Sequence, residues 1–527
     1  MKIVTFYRSA ALLIITAFII VAPISAGESV ELRVLGTYSA GVYNQGASEI
    51  VAHDPVTQRL FTVNGATSKI DVLSIVNPSQ PTLLFSIALA PYGRQANSVA
   101  VKNGIVAVAV EANVKTDPGK AVFFDTNGNY LNAVTVGALP DMLTFTPDGK
   151  KVLVANEGEP SNDYTIDPEG SVSIININFG VQNAYVTTAG FTAFNSTILN
   201  PSIRIFGPNA TVAQDLEPEY IAVSDDSRRA WVTLQENNAV GVLDLRTDEF
   251  NRLFGLGFKD HSLPGNGIDS SDRINSSTPG VIEILPRPVY GMYQPDAIAT
   301  FRYLSETYFI TANEGDAREY AALTEEVRIN SLLLDPDVFP NATFLKTDAQ
   351  IGRLNVTKTL GNFDGDAEYE ALFAFGARSF SIWSGRTGVQ LYDSGDDIEQ
   401  ITAQTYPSFF NAGNTNNTRD DRSDNKGPEP EGVTVGEAYG RNYAFIGLER
   451  IGGVLVYDIG NPESPTFVQY INNRNFMAAT NTTAAGDLGP EGLQFISRPD
   501  SPTDKPLLVV ANEVSGTTTI YEISQNQ

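Results

Sequence analysis

The chain has no cysteine, two histidines (His53 and His261), two tryptophans, and 35 basic against 61 acidic residues in 527. Each shortage removes a class of chemistry. Without cysteine there is no thiol nucleophile, no thiolate-bound metal and no disulfide. An exported protein of this kind is then held by burial alone, which a chain of about 500 residues can supply. Two histidines cannot form a three-histidine zinc site, and a Ser-His-Asp triad would have to use one of them. A formal net charge of −26 repels nucleic acid and anionic membranes and favours cations. No G-x-S-x-G elbow, P-loop or H-E-x-x-H motif occurs.

What is present starts with an export signal. Lys2 and Arg8 precede the apolar run 10–22, which ends near Ile24-Ser25-Ala26. Residues 1–26 therefore read as a signal peptide cleaved after Ala26, because the run is shorter than the ~20 residues of a span. No later segment is long and apolar enough to cross a bilayer. The mature chain, 27–527, is expected to be a single secreted or extracellular domain, periplasmic in a Gram-negative host, with no anchor sequence at its end. Asn-x-Ser/Thr acceptors for glycosylation stand at Asn195, Asn209, Asn275, Asn341, Asn355, Asn416 and Asn481.

The mature chain repeats one phrase. An acidic residue, usually after proline, opens a short apolar run, and a second apolar run ends in Asn-Glu or a variant. The clear copies are Pro140-Asp141 with Asn156-Glu157, Pro295-Asp296 with Asn313-Glu314, and Pro490-Glu491 with Asn512-Glu513. Looser copies are Pro218-Glu219 with Gln235-Glu236 and Pro430-Glu431 with Leu448-Glu449. Self-similarity at this spacing, in units of strand-sized β-branched runs bounded by Pro, Gly or Asn, predicts an all-β, seven-bladed β-propeller. The seventh unit runs out of chain after three strands, and the run 30–38 has no unit of its own. That run is expected to join the last blade and close the ring, removing its open edges. Long loop insertions near 178–216, 247–294 and 316–370 interrupt the repeat.

In an antiparallel blade the start of the first strand and the end of the second share one edge. Asp141, Glu219, Asp296, Glu431 and Glu491 should then meet Glu157, Glu236, Glu314, Glu449 and Glu513 at one mouth, with Glu49 and Glu111 extending the set. Converging carboxylates protonate, take up cations or pair with arginine. Asp364, Asp366 and Glu368 alternate along one further loop, and a second acidic loop runs from Asp420 to Asp424 and leads into Glu429 and Glu431. Oxygen ligands without His or Cys suit calcium or magnesium. Arg318, Arg378 and Arg450 fall near the same ends as candidate anion-binding groups.

Several longer motifs resemble a known family: the stretch 141–159, Gly376-Ala-Arg-Ser-Phe-Ser-Ile-Trp383, Lys426-Gly-Pro-Glu-Pro-Glu-Gly432, Gly447-Leu-Glu-Arg-Ile-Gly-Gly453, Leu488-Gly-Pro-Glu-Gly492 and Val510-Ala-Asn-Glu-Val514. The chain resembles, over nearly its whole mature length, the choice-of-anchor I domain family, which is similar to the mesenchyme-specific cell-surface glycoproteins of skeleton-forming echinoderm cells. The resemblance implies an extracellular propeller, associated in its animal members with calcified matrix. Some bacterial members carry alkaline phosphatase or phytase-like labels, and the family offers no catalytic residues to transfer. The expected function is divalent-cation binding, calcium first, in a surface, matrix or mineral-contact role without catalysis. The alternatives are a calcium-dependent phosphoesterase, with a phosphate ester as substrate, and a protein-binding scaffold.

Overall fold

A computed structural model describes residues 29–526; the expected signal peptide lies outside the described residues. The described chain is all-β, and its longest helix is Asp397–Thr405. Seven of its sheets are four-stranded, and in each the strands pair antiparallel. The first strands are Val51–Asp54, Ala96–Lys102, Pro140–Phe145, Pro218–Val223, Ile298–Tyr303, Pro430–Ala438 and Pro490–Ile496. Residues from all seven line one cavity of about 450 Å³.

The second strands carry the core. Lys151–Asn156 (KVLVAN) and Leu507–Asn512 (LLVVAN) are buried at nearly every position, on both faces. β-branched side chains suit a pleated surface covered on both sides. The apolar clusters span neighbouring sheets: one joins Phe61 and Val72 to Val99 and Val108, the next joins Ala107 and Phe123 to Val152 and Val154. The outermost strands, such as Thr82–Ala88, are mostly exposed.

The strand Val30–Ser39 belongs to the last sheet. It pairs antiparallel with Thr517–Gln525, from Val30 opposite Gln525 to Ser39 opposite Thr517, and so supplies that sheet's fourth strand.

Five of the first strands begin with a bulge. The register slips by one residue between Pro140 and Leu143, Pro218 and Ile221, Pro430 and Val433, Pro490 and Leu493, and Ala96 and Ser98. Proline lacks the N–H that regular pairing would use, and a bulge re-aims the side chain that follows. In four copies that side chain is the repeated acid. The glycine that follows the acid at Gly432 and Gly492 has a separate task. A Cβ on Gly432 would lie 2.1 Å from Glu491 O, and one on Gly492 would lie 2.4 Å from Glu49 O. Neighbouring sheets touch there backbone to backbone. Gly432→Ala should therefore destabilise the protein by roughly 1–3 kcal/mol through forced backbone shifts. Urea denaturation would check this, and an unchanged midpoint would mean that the contact yields freely.

The three expected loop insertions are largely folded. The stretch 178–216 contains Tyr185–Gly190, the fourth strand of the third sheet, and 247–294 contains Glu249–Gly255, the fourth strand of the next. The remainders of 247–294 and 316–370 combine with Phe373–Ala374 into a five-stranded sheet. It has its own apolar cluster, which includes Ile268, Ile329, Ile351 and Leu372. These strands are two to three residues long, too short for period-2 alternation to reveal.

Candidate metal centre

The repeated backbone arrangement brings the two sets of acids together. The N–H at the end of the second strand donates to the carbonyl two residues before the first-strand acid. This occurs from Glu157 to Leu139 (2.9 Å), Glu449 to Glu429 (2.9 Å) and Glu513 to Gly489 (2.7 Å). The second sheet does the same from Glu111 to Gln95 (3.0 Å), but its first-strand position is Asn97. A small cavity of about 60 Å³ is bordered by Asn97, Asp141, Asp296 and Glu491.

The electrostatics show which acids share this space. Burial, then Glu513 and Asp141, push Glu49 up to about 8. Burial pushes Asp141 up to about 7. Burial, then Glu236, Glu157, Asp296 and Asp141, hold Glu219 well above the carboxylate range. Glu431 is raised by burial and by Glu449, Glu314, Glu491 and Asp296; Glu491 by burial and by Glu49, Glu513, Asp296 and Asp141. Glu157 and Asp296 are likewise raised well above their ordinary values. Acids that are distant in sequence, from six sheets, thus repel one another across one shared space.

The cluster has two layers with different partners. Among the second-strand acids, Glu111 pairs with Arg94 (3.1 Å), Glu314 with Lys426 (2.7 Å) and Glu449 with Arg450 (2.8 Å). Among the described residues the first-strand acids have no such ion pair. Glu219 Oε2, Glu431 Oε2 and Glu491 Oε2 are buried without a hydrogen-bond partner, as is Glu236 Oε2. Glu219 and Glu236 are each only 7% exposed. A buried carboxylate oxygen left unpaired is costly unless a proton or cation satisfies it. One oxygen each from Glu314, Glu431 and Glu449 lies within 4.8 Å of the others. Ligands on opposite sides of one calcium ion, at ~2.4 Å each, are about that far apart.

The other expected site residues fare differently. Asp364 and Asp366 do approach a third acid, but it is Glu370 rather than Glu368. The loop turns at Gly365 (φ 83°), and Glu368 starts the short strand Glu368–Tyr369, so simple alternation fails there. This group is largely exposed, and its oxygens accept from the loop's own N–H groups.

In the structure the three arginines are held by internal acceptors. Arg318 donates to Asp215 (2.5 Å), to the Asp215 carbonyl (2.7 Å) and to Glu217 (3.1 Å). Arg378 donates to Glu399, Asp269 O, Ser423 O and Asn425 O. Arg450 is shared between Glu429 and Glu449. Internal acceptors already use these guanidinium groups. Of the glycosylation acceptors, Asn355 is buried, and its Nδ2 donates to Glu326 (2.8 Å), so the folded chain has no room for a glycan there. Asn195, Asn209, Asn275, Asn341 and Asn481 are exposed, and Asn416 is half-buried.

Sequence reasoning missed Lys426, and it reached Glu429 only as part of the second acidic loop. Lys426 is the one basic residue inside the Lys426-Gly-Pro-Glu-Pro-Glu431 phrase, which was the available clue. Burial alone would raise Glu429; Lys426, Arg450 and Arg422 outweigh it and hold that carboxyl down to about 2. In the second acidic loop Asp424 is bonded to Arg353 and Arg328, while Asp420 Oδ2 is buried without a partner among the described residues.

Comparison with known proteins adds a family. A model described as the Choice-of-anchor I domain matches residues 49–462. Gigasin-3a of Magallana gigas is 29% identical over 190 residues, covering 34% of this chain and 66% of that protein. A mesenchyme-specific cell surface glycoprotein of Strongylocentrotus purpuratus is 26% identical over 286 residues, covering 48% of this chain and 36% of that protein. The chain thus spans just under two thirds of one relative and about a third of the other. Solved structures of related shape include hydrazine synthase of Kuenenia stuttgartiensis (TM-score 0.48, 13% identity, 92% of this chain and 98% of that one). Another is the Cps50 (Swd1) β-propeller domain of Myceliophteria thermophila (TM-score 0.44, 9% identity, 94% and 100%). Among the described residues no helix is long and apolar enough to cross a membrane.

Proposed function

The chain belongs to the choice-of-anchor I domain family, and from that premise we propose a cation-binding role at the cell exterior. It is an exported, acidic, seven-bladed β-propeller whose ring is closed by the strand Val30–Ser39. It binds divalent cations, calcium before magnesium, at the carboxylates around its axis, in a surface, matrix or mineral-contact role without catalysis. The propeller reading is supported by seven four-stranded sheets whose first strands line one cavity. Contacts from Gly432 to Glu491 and from Gly492 to Glu49, which link the sixth, seventh and first sheets, also support it. The surface role is supported by the likeness to a cell surface glycoprotein of an echinoderm.

The observation that carries the cation reading is the set of buried, partnerless carboxylate oxygens on Glu219, Glu236, Glu431 and Glu491. Carboxylate oxygens are the ligands that a hard cation takes. Glu314, Glu431 and Glu449 would supply the first position to fill.

Calorimetric titration with calcium after chelation should give saturable heat. Glu431→Gln removes one charged ligand and should weaken binding by about tenfold or more, since ligand charge count tunes such sites. Absence of heat at millimolar calcium would end this reading.

A further inference from the structure

Resting on the cation-binding reading, we propose that Lys426 is a tethered counter-ion for the Glu314–Glu431–Glu449 position. An arriving divalent cation displaces it onto Glu429, and the Lys426–Glu429 pair sets the affinity of that position.

The buried Lys426 ammonium donates to Glu314 Oε1 (2.7 Å) and to Gly315 O (2.5 Å). Glu314 is one of the three acids whose oxygens converge. A lysine ammonium and a divalent cation cannot share one carboxylate in a poorly solvated space without strong repulsion. The ammonium already has its exit. It lies 3.2 Å from Glu429 Oε2, so transfer needs only a small swing of a flexible side chain.

Glu429 is built to receive it. It is fully buried and ion-paired to Arg422 (2.6 Å) and Arg450 (2.8 Å). Its backbone sits at φ +50°, between Gly427 (φ +71°) and the bulge at Pro430. A non-glycine residue in that region is held by its surroundings, here by three cations. Arg450 repeats the arrangement on the other side, with Nη1 on Glu449 and Nε on Glu429. Both internal cations therefore bridge a cluster acid to Glu429. Glu431, between them, receives neither, and its Oε2 is left without a partner. The position thus has one free ligand, two ligands shared with tethered charges, and an off-axis anion able to take those charges back.

A lysine that served only as permanent glue would predict a different result. Full-length protein, stripped with chelator, is titrated with calcium by calorimetry, with folding checked by circular dichroism. Lys426→Met should bind calcium about tenfold tighter or more, because no tethered charge competes. Lys426→Gln is the second form of the same test if the methionine variant folds poorly. Lys426→Arg keeps the charge and should restore the weaker wild-type affinity. Glu429→Gln should bind about tenfold weaker or more, because Lys426 and Arg450 then lose the anion they share away from Glu314 and Glu449. If the wild type binds but the lysine variants bind no tighter, or Glu429→Gln binds as tightly as wild type, the inference is overturned while the cation-binding reading stands. If the wild type itself binds nothing, both fall.

Discussion

In chelator, the melting temperature is expected to rise as the pH is lowered from about 8.5 to about 5, the reverse of common acid destabilisation. The sign follows from the raised carboxyls. Asp141 ordinarily titrates near 3.8 and is pushed to about 7; Glu49 and Glu236 move from 4.5 to about 8 and about 7. Between the unfolded and folded values the native state binds more protons than the unfolded chain, so stability falls as pH rises. The contribution is fully present below about 4 and is lost through 7 to 8. Each tenfold gain in a carboxylate's proton affinity on folding is worth ~1.4 kcal/mol. Several such groups, with Glu219, Asp296, Glu431 and Glu491 displaced the same way, give a swing on the order of several kcal/mol. Calcium should flatten the profile, because a bound cation does at pH 8 what protons do at pH 5. At a hundred times its dissociation constant it adds about 2.7 kcal/mol. Differential scanning calorimetry across pH, with and without calcium, reads both effects. A chelated protein that melts lower at pH 6 than at pH 8.5 contradicts the assignment.

The acidic cluster was legible in the sequence because the Pro-acid phrase carries both its structural cause and its chemistry. Proline at position 140, 218, 430 or 490 breaks regular pairing, and the next side chain is turned by the bulge. β-branched runs bounded by Pro, Gly or Asn then locate the strands. Glu49 was harder to place because no proline precedes it, yet burial, then Glu513 and Asp141, raise it, and it in turn raises Glu491. Two kinds of feature were not legible. Strands of two or three residues, such as Asn355–Thr357, have no period to detect. The pairing of a charge depends on three-dimensional neighbours: Arg318 meets Asp215 and Glu217 about a hundred residues away. Spacing placed Arg318 near the acidic end, but it could not tell that both of its faces were already occupied.

That occupancy gives Arg318 a large structural role. Its side chain is buried, as are those of Asp215 and Glu217, and it also lies over the ring of Phe206 at 4.6 Å, with Arg204 over the same ring at 4.0 Å. Arg318→Met should cost about 3–5 kcal/mol, because two carboxylates then stay buried without their counter-charge. Arg318→Lys should recover only part of this, since an ammonium cannot reach Asp215, its carbonyl and Glu217 with one planar fork. Urea denaturation at pH 8, where the acids would most need their partner, gives the largest difference. The same experiment separates an ion-pair role from anion binding. Inorganic phosphate should leave the wild-type midpoint unmoved, because Asp215 and Glu217 already hold the buried guanidinium. Arg318→Met with wild-type stability, or a wild type stabilised by phosphate in a manner lost in that variant, would return Arg318 to the role its position in the sequence first implied.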